Sequence, residues 1–167
     1  MGGAGVRFSL SPFIMIEPEE TNIGVGAILI SKYKELILQQ RDDIPEIKNP
    51  GKISLFGGTL KLNETKWSGL RRELFEELEL TFLGAQVEFF KTYQLTKEKD
   101  GRDRTIHIYI IKDVDDRKLV LHEGSDIIFE RIETVLDLGE KLTDQSFNIL
   151  KDYKESLKLW AITQNKK

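Results

Sequence analysis

Three glutamates have a spacing that could do chemistry: on a helix, Glu73, Glu76 and Glu77 would place their carboxylates on one face. Like charges so close repel one another by roughly a few tenths of a kcal/mol per pair, even in solvent. A bound divalent cation would turn that repulsion into attraction, and oxygen-only ligands suit Mg²⁺ or Mn²⁺. Taken alone, however, a glutamate-rich helix face is usually solvated surface. The neighbouring residues therefore decide between a metal site and an ordinary surface.

The composition removes several other kinds of site. Among 167 residues there are no cysteines and only two histidines, His107 and His122. This excludes a disulfide scaffold, a cysteine-ligated zinc, a thiol nucleophile and an iron–sulfur cluster, and it argues against a multi-histidine centre. The 25 basic and 28 acidic residues give a net charge of −3, so no basic field for a nucleic acid polymer is expected.

The glutamates need a helix that docks through one side and presents them on another. Residues Thr65 to Leu78 have helical spacing, with Leu70 and Leu74 recurring on an apolar stripe that Leu78 continues. This stripe lies roughly 110° around the helix from the carboxylates. Such a helix can pack on a sheet while its carboxylates face a cleft.

The rest of the chain supplies strands and a closing helix. The predicted strands are Ile23–Ile30, Leu36–Gln40, Ile53–Phe56, Val87–Leu95, Thr105–Val114, Leu119–Leu121 and Ile127–Ile132. A charged hairpin loop is predicted at residues 97–103, and an amphipathic helix at Thr143 to Ala161. Strands, a helix midway, more strands and a final helix predict a mixed α/β layer fold.

The stretch from 58 to 80 matches a known pattern. Gly58, then Glu64, then the run Arg72-Glu73-Leu74-x-Glu76-Glu77 have the spacing of the Nudix box. That box reads G, five residues, E, seven residues, then R-E-U-x-E-E-x-G-U, where U is a bulky aliphatic residue. The chain therefore resembles a Nudix hydrolase, over residues from ~22 to ~160.

One position departs from the box. Leu80 fills its last aliphatic position, but Glu79 stands where the pattern has glycine. That glycine would be expected to end the helix in a left-handed conformation, which strains other residues. We therefore expect a changed helix exit at Glu79, with the residues upstream left intact.

The resemblance implies a fold, a cation and a reaction. The fold is a Nudix-type α/β/α sandwich with a mixed sheet, and the cation is Mg²⁺ or Mn²⁺. Its principal ligands would be Glu76 and Glu77, with Glu73 as a further ligand or water-orienting base and the Gly58 carbonyl close to the metal. Arg72 would hold the carboxylates by ion pairing. The family cleaves the diphosphate bond of a nucleoside diphosphate linked to another moiety, by water attack at phosphorus.

Several Nudix enzymes also use an acid outside the box. Glu123 is the candidate here, because it follows a predicted strand and precedes a Gly-Ser turn. An exposed loop acid is the competing interpretation. Asp126 and Glu130 are weaker alternatives, and Glu64 is implied to be a supporting acid within the box.

Three further residues are candidates for substrate contacts. Arg41 ends a predicted strand and could bind phosphate, although an ion pair with a neighbouring aspartate explains it nearly as well. Phe56 and Phe129 could stack on a base, but aromatic residues in strands more often belong to the core. The sequence features that distinguish the ADP-ribose, coenzyme A and diadenosine polyphosphate classes of Nudix enzymes are mostly missing. A nucleotide sugar, a free (d)NTP or a related compound is left open.

The alternative function is a non-catalytic Nudix-like module that senses a nucleotide. Such modules tend to lose carboxylates from the box, whereas here the box keeps Arg72 and all three glutamates. Isopentenyl diphosphate isomerase shares the fold but uses an active-site cysteine, which this chain lacks. An RNA decapping enzyme would need a basic stripe that the sequence does not show.

The remaining expectations concern organisation and location. Residues 1–167 are expected to form a single Nudix domain, with residues 1–20 as an extension or edge strand and residues 143–162 as the C-terminal helix. No cleavable leader or membrane span is apparent, so a cytoplasmic location without membrane contact is expected. Because Nudix proteins are often dimers, a homodimer paired through the apolar run Val6 to Ile16 is consistent with the resemblance.

Overall fold

The computed structural model describes residues 20–95 and 103–164. Within them the strands are β1 (Glu20–Ser31), β2 (Leu36–Gln40), β3 (Ile53–Ser54), β4 (Phe56–Lys61), β5 (Val87–Leu95), β6 (Arg104–Val114) and β7 (Asp126–Glu130), and the helices are α1 (Lys66–Leu78) and α2 (Asp144–Gln164). The run Val6 to Ile16 and most of the predicted hairpin loop lie outside the described residues. No helix within the described ranges is long and apolar enough to cross a membrane.

The strands form one mixed sheet centred on β1. Along one edge β1 pairs in parallel with β6, and β6 pairs with β5. The other edge of β1 is shared by β2 and β4, both antiparallel to it, and β7 pairs with the far side of β2. The prediction of a single strand at Ile53–Phe56 is wrong, because the structure has two strands here, β3 and β4. Leu55 interrupts it, because its N–H donates to Ser146 Oγ at 3.0 Å, so β3 pairs with β2 and β4 with β1.

Side chains of β1 alternate between two apolar layers. Val25, Ala27 and Leu29 pack on the side of α1, whereas Ile28 packs on the side of α2. The leucine stripe of α1 is fully buried against the first layer. The helices therefore cover opposite faces of the sheet, which confirms the predicted α/β/α fold.

The prediction of a strand at Leu119–Leu121 is wrong. The N–H groups of Val120 and His122 donate instead to the carbonyls of Leu78 and Glu77, at 3.0 and 2.9 Å. The last carbonyls of a helix have no partners within it, so they compete for the donors that a sheet would otherwise use. The segment is thereby fastened to the end of α1.

Helix α1 has well-defined ends. Thr65 caps its first turn by accepting from Ser68 N–H at 3.1 Å. At the other end Glu79 is left-handed, with φ 51° and ψ 21°, and its N–H donates to the carbonyls of Leu74 and Phe75. The expectation of a changed helix exit is therefore wrong. Glu79 adopts the conformation that a glycine would adopt, at a cost of about 1–2 kcal/mol.

Candidate active site

Arg72 is the centre of an ion-pair network on α1. Its Nε and Nη2 atoms each lie 2.8 Å from a carboxylate oxygen of Glu64, and Nη2 also donates to Thr59 O at 3.1 Å. Its Nη1 atom lies 2.9 Å from Glu73 Oε1 and 3.0 Å from Glu76 Oε2. Hydrogen bonds from Arg72 lower the pKa of Glu64. Arg72 is therefore placed to hold Glu73 and Glu76 by ion pairing, as predicted, and Glu64 fixes the position of the Arg72 guanidinium.

Glu77 is the most buried carboxylate of the box. It is 5% exposed, and its Oε2 accepts from Gly57 N–H at 2.9 Å. Burial raises its pKa to about 8, and the negative charge of Glu123 adds to the rise. The Gly57 hydrogen bond and the positive charge of Arg41 oppose it. A cation bound nearby would stabilise the ionised form of such a buried carboxyl group.

The raised pKa of Glu77 predicts how stability depends on pH in the metal-free protein. A pKa of about 8 in the folded state, above the ordinary 4.5, means that the folded protein binds the proton more tightly. The stabilisation is complete below about pH 4.5 and is lost as the pH rises through about 8. With a chelator present, we expect wild type to lose on the order of 3 kcal/mol relative to Glu77→Gln between those limits. Urea unfolding across the range measures this, and parallel profiles would contradict it.

Glu73 lies against the start of the box. A Cβ atom added to Gly58 would come within 2.5 Å of the Glu73 carboxyl group. Glycine at this position therefore makes room for the carboxylate. Burial raises the pKa of Glu73, while the adjacent Arg72 opposes the rise. The predicted contact of the Gly58 carbonyl with a metal remains a prediction.

Glu123 follows His122, whose N–H donates to Glu77 O at 2.9 Å, so it lies near the end of α1 that carries the box carboxylates. Its negative charge adds to the rise that burial causes in the pKa of Glu73 and Glu77. Gln39 Nε2 donates to the carbonyl of Glu123 at 3.1 Å, which fixes this point of the loop to β2. Gly124, which follows, has a φ of +90°, and a Cβ there would lie 2.6 Å from Gln40 O. The Gly-Ser turn is thus what directs the chain past Glu123 into β7.

A cleft of about 260 Å³ adjoins these carboxylates. Gly57 and Gly58, which touch Glu77 and Glu73, form part of its wall. The other lining residues come from β1, β4, the loop after β2 and the start of α2, and they include Arg41, Lys48, Asn49, Ser54, Arg104 and Gln145. An anionic group bound here would contact cationic side chains close to Gly57 and Gly58.

The predicted substrate residues have different outcomes. Arg41 lines the cleft, and its Nε donates to Lys48 O at 2.9 Å. Phe56 is among the residues that line the cleft but is fully buried in the core beside α1, which favours the core interpretation, and its stacking on a base stays a prediction. Phe129 is 41% exposed on β7 but does not line the cleft. Lys48 and Arg104 were not predicted, because neither belongs to a motif, although Lys48 shares the polar loop of Arg41.

The predicted metal ligands share one region without forming a ready-made site. Among the described residues, no group of three or more His, Cys, Asp or Glu side chains converges as metal ligands would. The reason lies in their present partners: Glu73 and Glu76 turn to Arg72, and Glu77 turns to Gly57. The donor chemistry nevertheless fits Mg²⁺ or Mn²⁺, because every donor is an oxygen and two of the carboxylates, Glu73 and Glu77, have raised pKa values.

A family model decides the classification. The NUDIX domain model matches residues 20–152, which is well over half of the chain. The chain belongs to the NUDIX domain family. This confirms the resemblance drawn from the box and the assignment to the Nudix-type hydrolases. No curated protein sequence matches the chain at a significant level.

Solved structures of this family share the fold. The MutT protein of Methanosarcina mazei Go1 is 22% identical with a TM-score of 0.64, covering 81% of this chain and 94% of its own. An Ap4A hydrolase of C. elegans is 18% identical with a TM-score of 0.58, covering 80% and 97%. The NUDIX domain of Shewanella oneidensis NrtR, complexed with ADP ribose, is 18% identical with a TM-score of 0.63, covering 81% and 87%. Together they confirm the Nudix-type fold.

Proposed function

We propose that this Nudix protein is a metal-dependent pyrophosphohydrolase that cleaves the diphosphate bond of a nucleoside diphosphate linked to another moiety. The observation that carries the proposal is a set of carboxylates beside a cleft lined by Arg41: the buried Glu77 and the partly buried Glu73, both with a raised pKa, and the exposed Glu123. Carboxylates with raised pKa values next to cationic side chains are typical of sites that handle phosphate and protons.

The carboxylates of the box would hold the cation. Glu73, Glu76 and Glu77 would supply the ligands together with the Gly58 carbonyl, and Mg²⁺ or Mn²⁺ suits them. When bound, the cation would neutralise phosphate charge and make the attacking water more acidic. Arg72 keeps Glu73 and Glu76 on the same side of α1 by contacting both. In its absence, repulsion between these carboxylates would drive their side chains apart.

Glu123 would take the proton from the attacking water. It is close enough to Glu77 and Glu73 to raise their pKa values, yet it belongs to a different segment of the chain. A base on a separate loop can face the phosphorus from the side opposite the leaving group. Arg41 would bind a phosphate oxygen at the mouth of the cleft, where its charge also reaches Glu77.

The substrate would be a small nucleotide. A cleft of about 260 Å³ with cationic and amide side chains suits a nucleoside with its phosphates better than a polymer. Two relatives point the same way: one is named as an Ap4A hydrolase, and the other was solved with ADP ribose. A nucleotide sugar, a (d)NTP or a related nucleoside diphosphate derivative is the proposed class.

A substrate panel tests the proposal. Assays with Mg²⁺ or Mn²⁺ that separate and quantify the phosphorylated products would cover dNTPs, nucleotide sugars, ADP-ribose, dinucleotides and coenzyme A. We expect at least one compound to turn over, and a chelator to stop the reaction. If every compound is inert while one binds tightly, the protein is instead a nucleotide-sensing module.

The role of Glu123 gives a separate prediction. We expect Glu123→Gln to lower kcat about 100-fold with little change in KM, since glutamine keeps the size of the side chain but cannot accept the proton. Asp126→Asn is the matched control, because Asp126 is an exposed acid three residues along the same segment. Steady-state kinetics of both variants measure the effects on kcat and on KM separately. An unchanged kcat in Glu123→Gln, or an equal loss in Asp126→Asn, would make Glu123 an ordinary loop acid.

A further inference from the structure

The residue that departs from the Nudix box has a specific partner. Glu79 Oε1 lies 2.7 Å from His122 Nε2, and His122 immediately precedes Glu123. Two backbone hydrogen bonds accompany this contact: Val120 N–H to Leu78 O, and His122 N–H to Glu77 O. The loop that carries Glu123 is therefore attached to the exit of α1 by three polar contacts, one of which depends on a side chain that the box does not prescribe.

The same loop is attached to β2 on its other side. The carbonyl of Glu123 accepts from Gln39 Nε2, and Ser125 N–H donates to Gln40 O at 2.8 Å. Glu123 thus lies between two anchors, one on the strand and one on the helix that carries Glu73 and Glu77. Releasing the helix anchor would leave the loop held by its backbone bonds and by β2 alone.

Glutamate at position 79 costs stability, because its backbone is left-handed. Glycine would adopt φ 51° without strain, so glutamate at this point destabilises the helix exit. Both partners of the Glu79–His122 contact are about half exposed. Exposed ion pairs contribute little to stability, so the contact does not offset the strain. Stability therefore does not explain why glutamate stands at this position.

We propose that Glu79 is a positioning residue, which acts through His122 to hold Glu123 against the box carboxylates. This inference rests on the proposed function, because it assigns a consequence for turnover to that same site. It predicts opposite effects of one substitution on stability and on activity, which a purely structural role would not produce.

The test is Glu79→Gly, which installs the usual residue of the box. We expect the Tm of the metal-free protein to rise by about 2–4 °C, because the left-handed strain is relieved. We expect kcat to fall by about tenfold or more, with KM within about twofold of wild type, because Glu123 loses its helix anchor. Glu79→Gln should retain most of kcat, since its amide oxygen can still accept from the imidazole.

Asp113→Gly is the matched control. Asp113 is also left-handed, with φ 57°, and it also makes an exposed ion pair, to Lys34 at 2.7 Å, but it lies at the end of β6 away from the cleft. Its replacement should leave kcat unchanged. His122→Ala should lower kcat as much as Glu79→Gly, and the double variant should be no slower than either, because both remove one contact.

The outcomes separate the two proposals. An active wild type whose kcat is unchanged in Glu79→Gly, or equally reduced in Glu79→Gln and Asp113→Gly, overturns the positioning role and leaves the proposed function standing. A wild type that turns over no compound of the panel overturns the proposed function itself.

Discussion

Replacing Glu77 with glutamine should lower diphosphate cleavage at least about 100-fold while leaving the protein folded. The amide can still accept the Gly57 N–H that Glu77 accepts now, so the local backbone has its partner. What the substitution removes is the negative charge that a cation requires. Because burial raises the pKa of Glu77 to about 8, the variant should also be more stable than the metal-free wild type at alkaline pH.

This combination separates lost chemistry from lost structure. Glu155→Gln, an exposed glutamate on α2, is the control and should match wild type in turnover. Added Mg²⁺ or Mn²⁺ should raise the Tm of wild type more than that of Glu77→Gln. Turnover that survives chelation, or that is unaffected in Glu77→Gln, would overturn the assignment of the metal site.

Replacing Gly57 with alanine should destabilise the fold by more than about 3 kcal/mol. Gly57 has a φ of +136°, and a Cβ there would lie 2.3 Å from Val25 O and 2.6 Å from Gly26 Cα. These are backbone atoms in the pairing of β1 with β4, so they cannot move aside without breaking the sheet. The N–H of Gly57 would also lose its alignment with Glu77, so activity should be lost along with stability.

Gly84→Ala provides the matched comparison. At Gly84 the nearest atoms to an added Cβ belong to the Trp67 ring, at 3.9 and 4.0 Å, which is ordinary contact. Urea unfolding should therefore show little change in this variant. A Gly57→Ala protein within about 1 kcal/mol of wild type would mean that the backbone at this point does not constrain the site as described.

The elements with strong local patterns were predictable from the sequence. The leucine stripe of α1 and the strand at β6 each depend on residues close in sequence, and each is found in the structure. Helical spacing likewise places Glu73 and Glu77 on one face of α1 without reference to any other part of the chain. The candidate site could therefore be located before its geometry was known.

The parts that were not predictable depend on distant partners. Residues 119–121 have the composition of a strand, but their donors bond to carbonyls at the end of α1. Leu55 breaks its strand because of a hydroxyl on α2, more than ninety residues away along the chain. Glu79 looked incompatible with the helix exit, yet it adopts the left-handed conformation and contacts His122.

Water attack at phosphorus, in a diphosphate held at this carboxylate site, can be followed by running the turnover reaction in H₂¹⁸O with Mg²⁺ or Mn²⁺ and analysing the products by mass spectrometry. We expect one phosphorus-containing product to gain a single ¹⁸O atom and a chelator to abolish the reaction. Products without the label, or no turnover of any compound in the panel, would contradict this expectation.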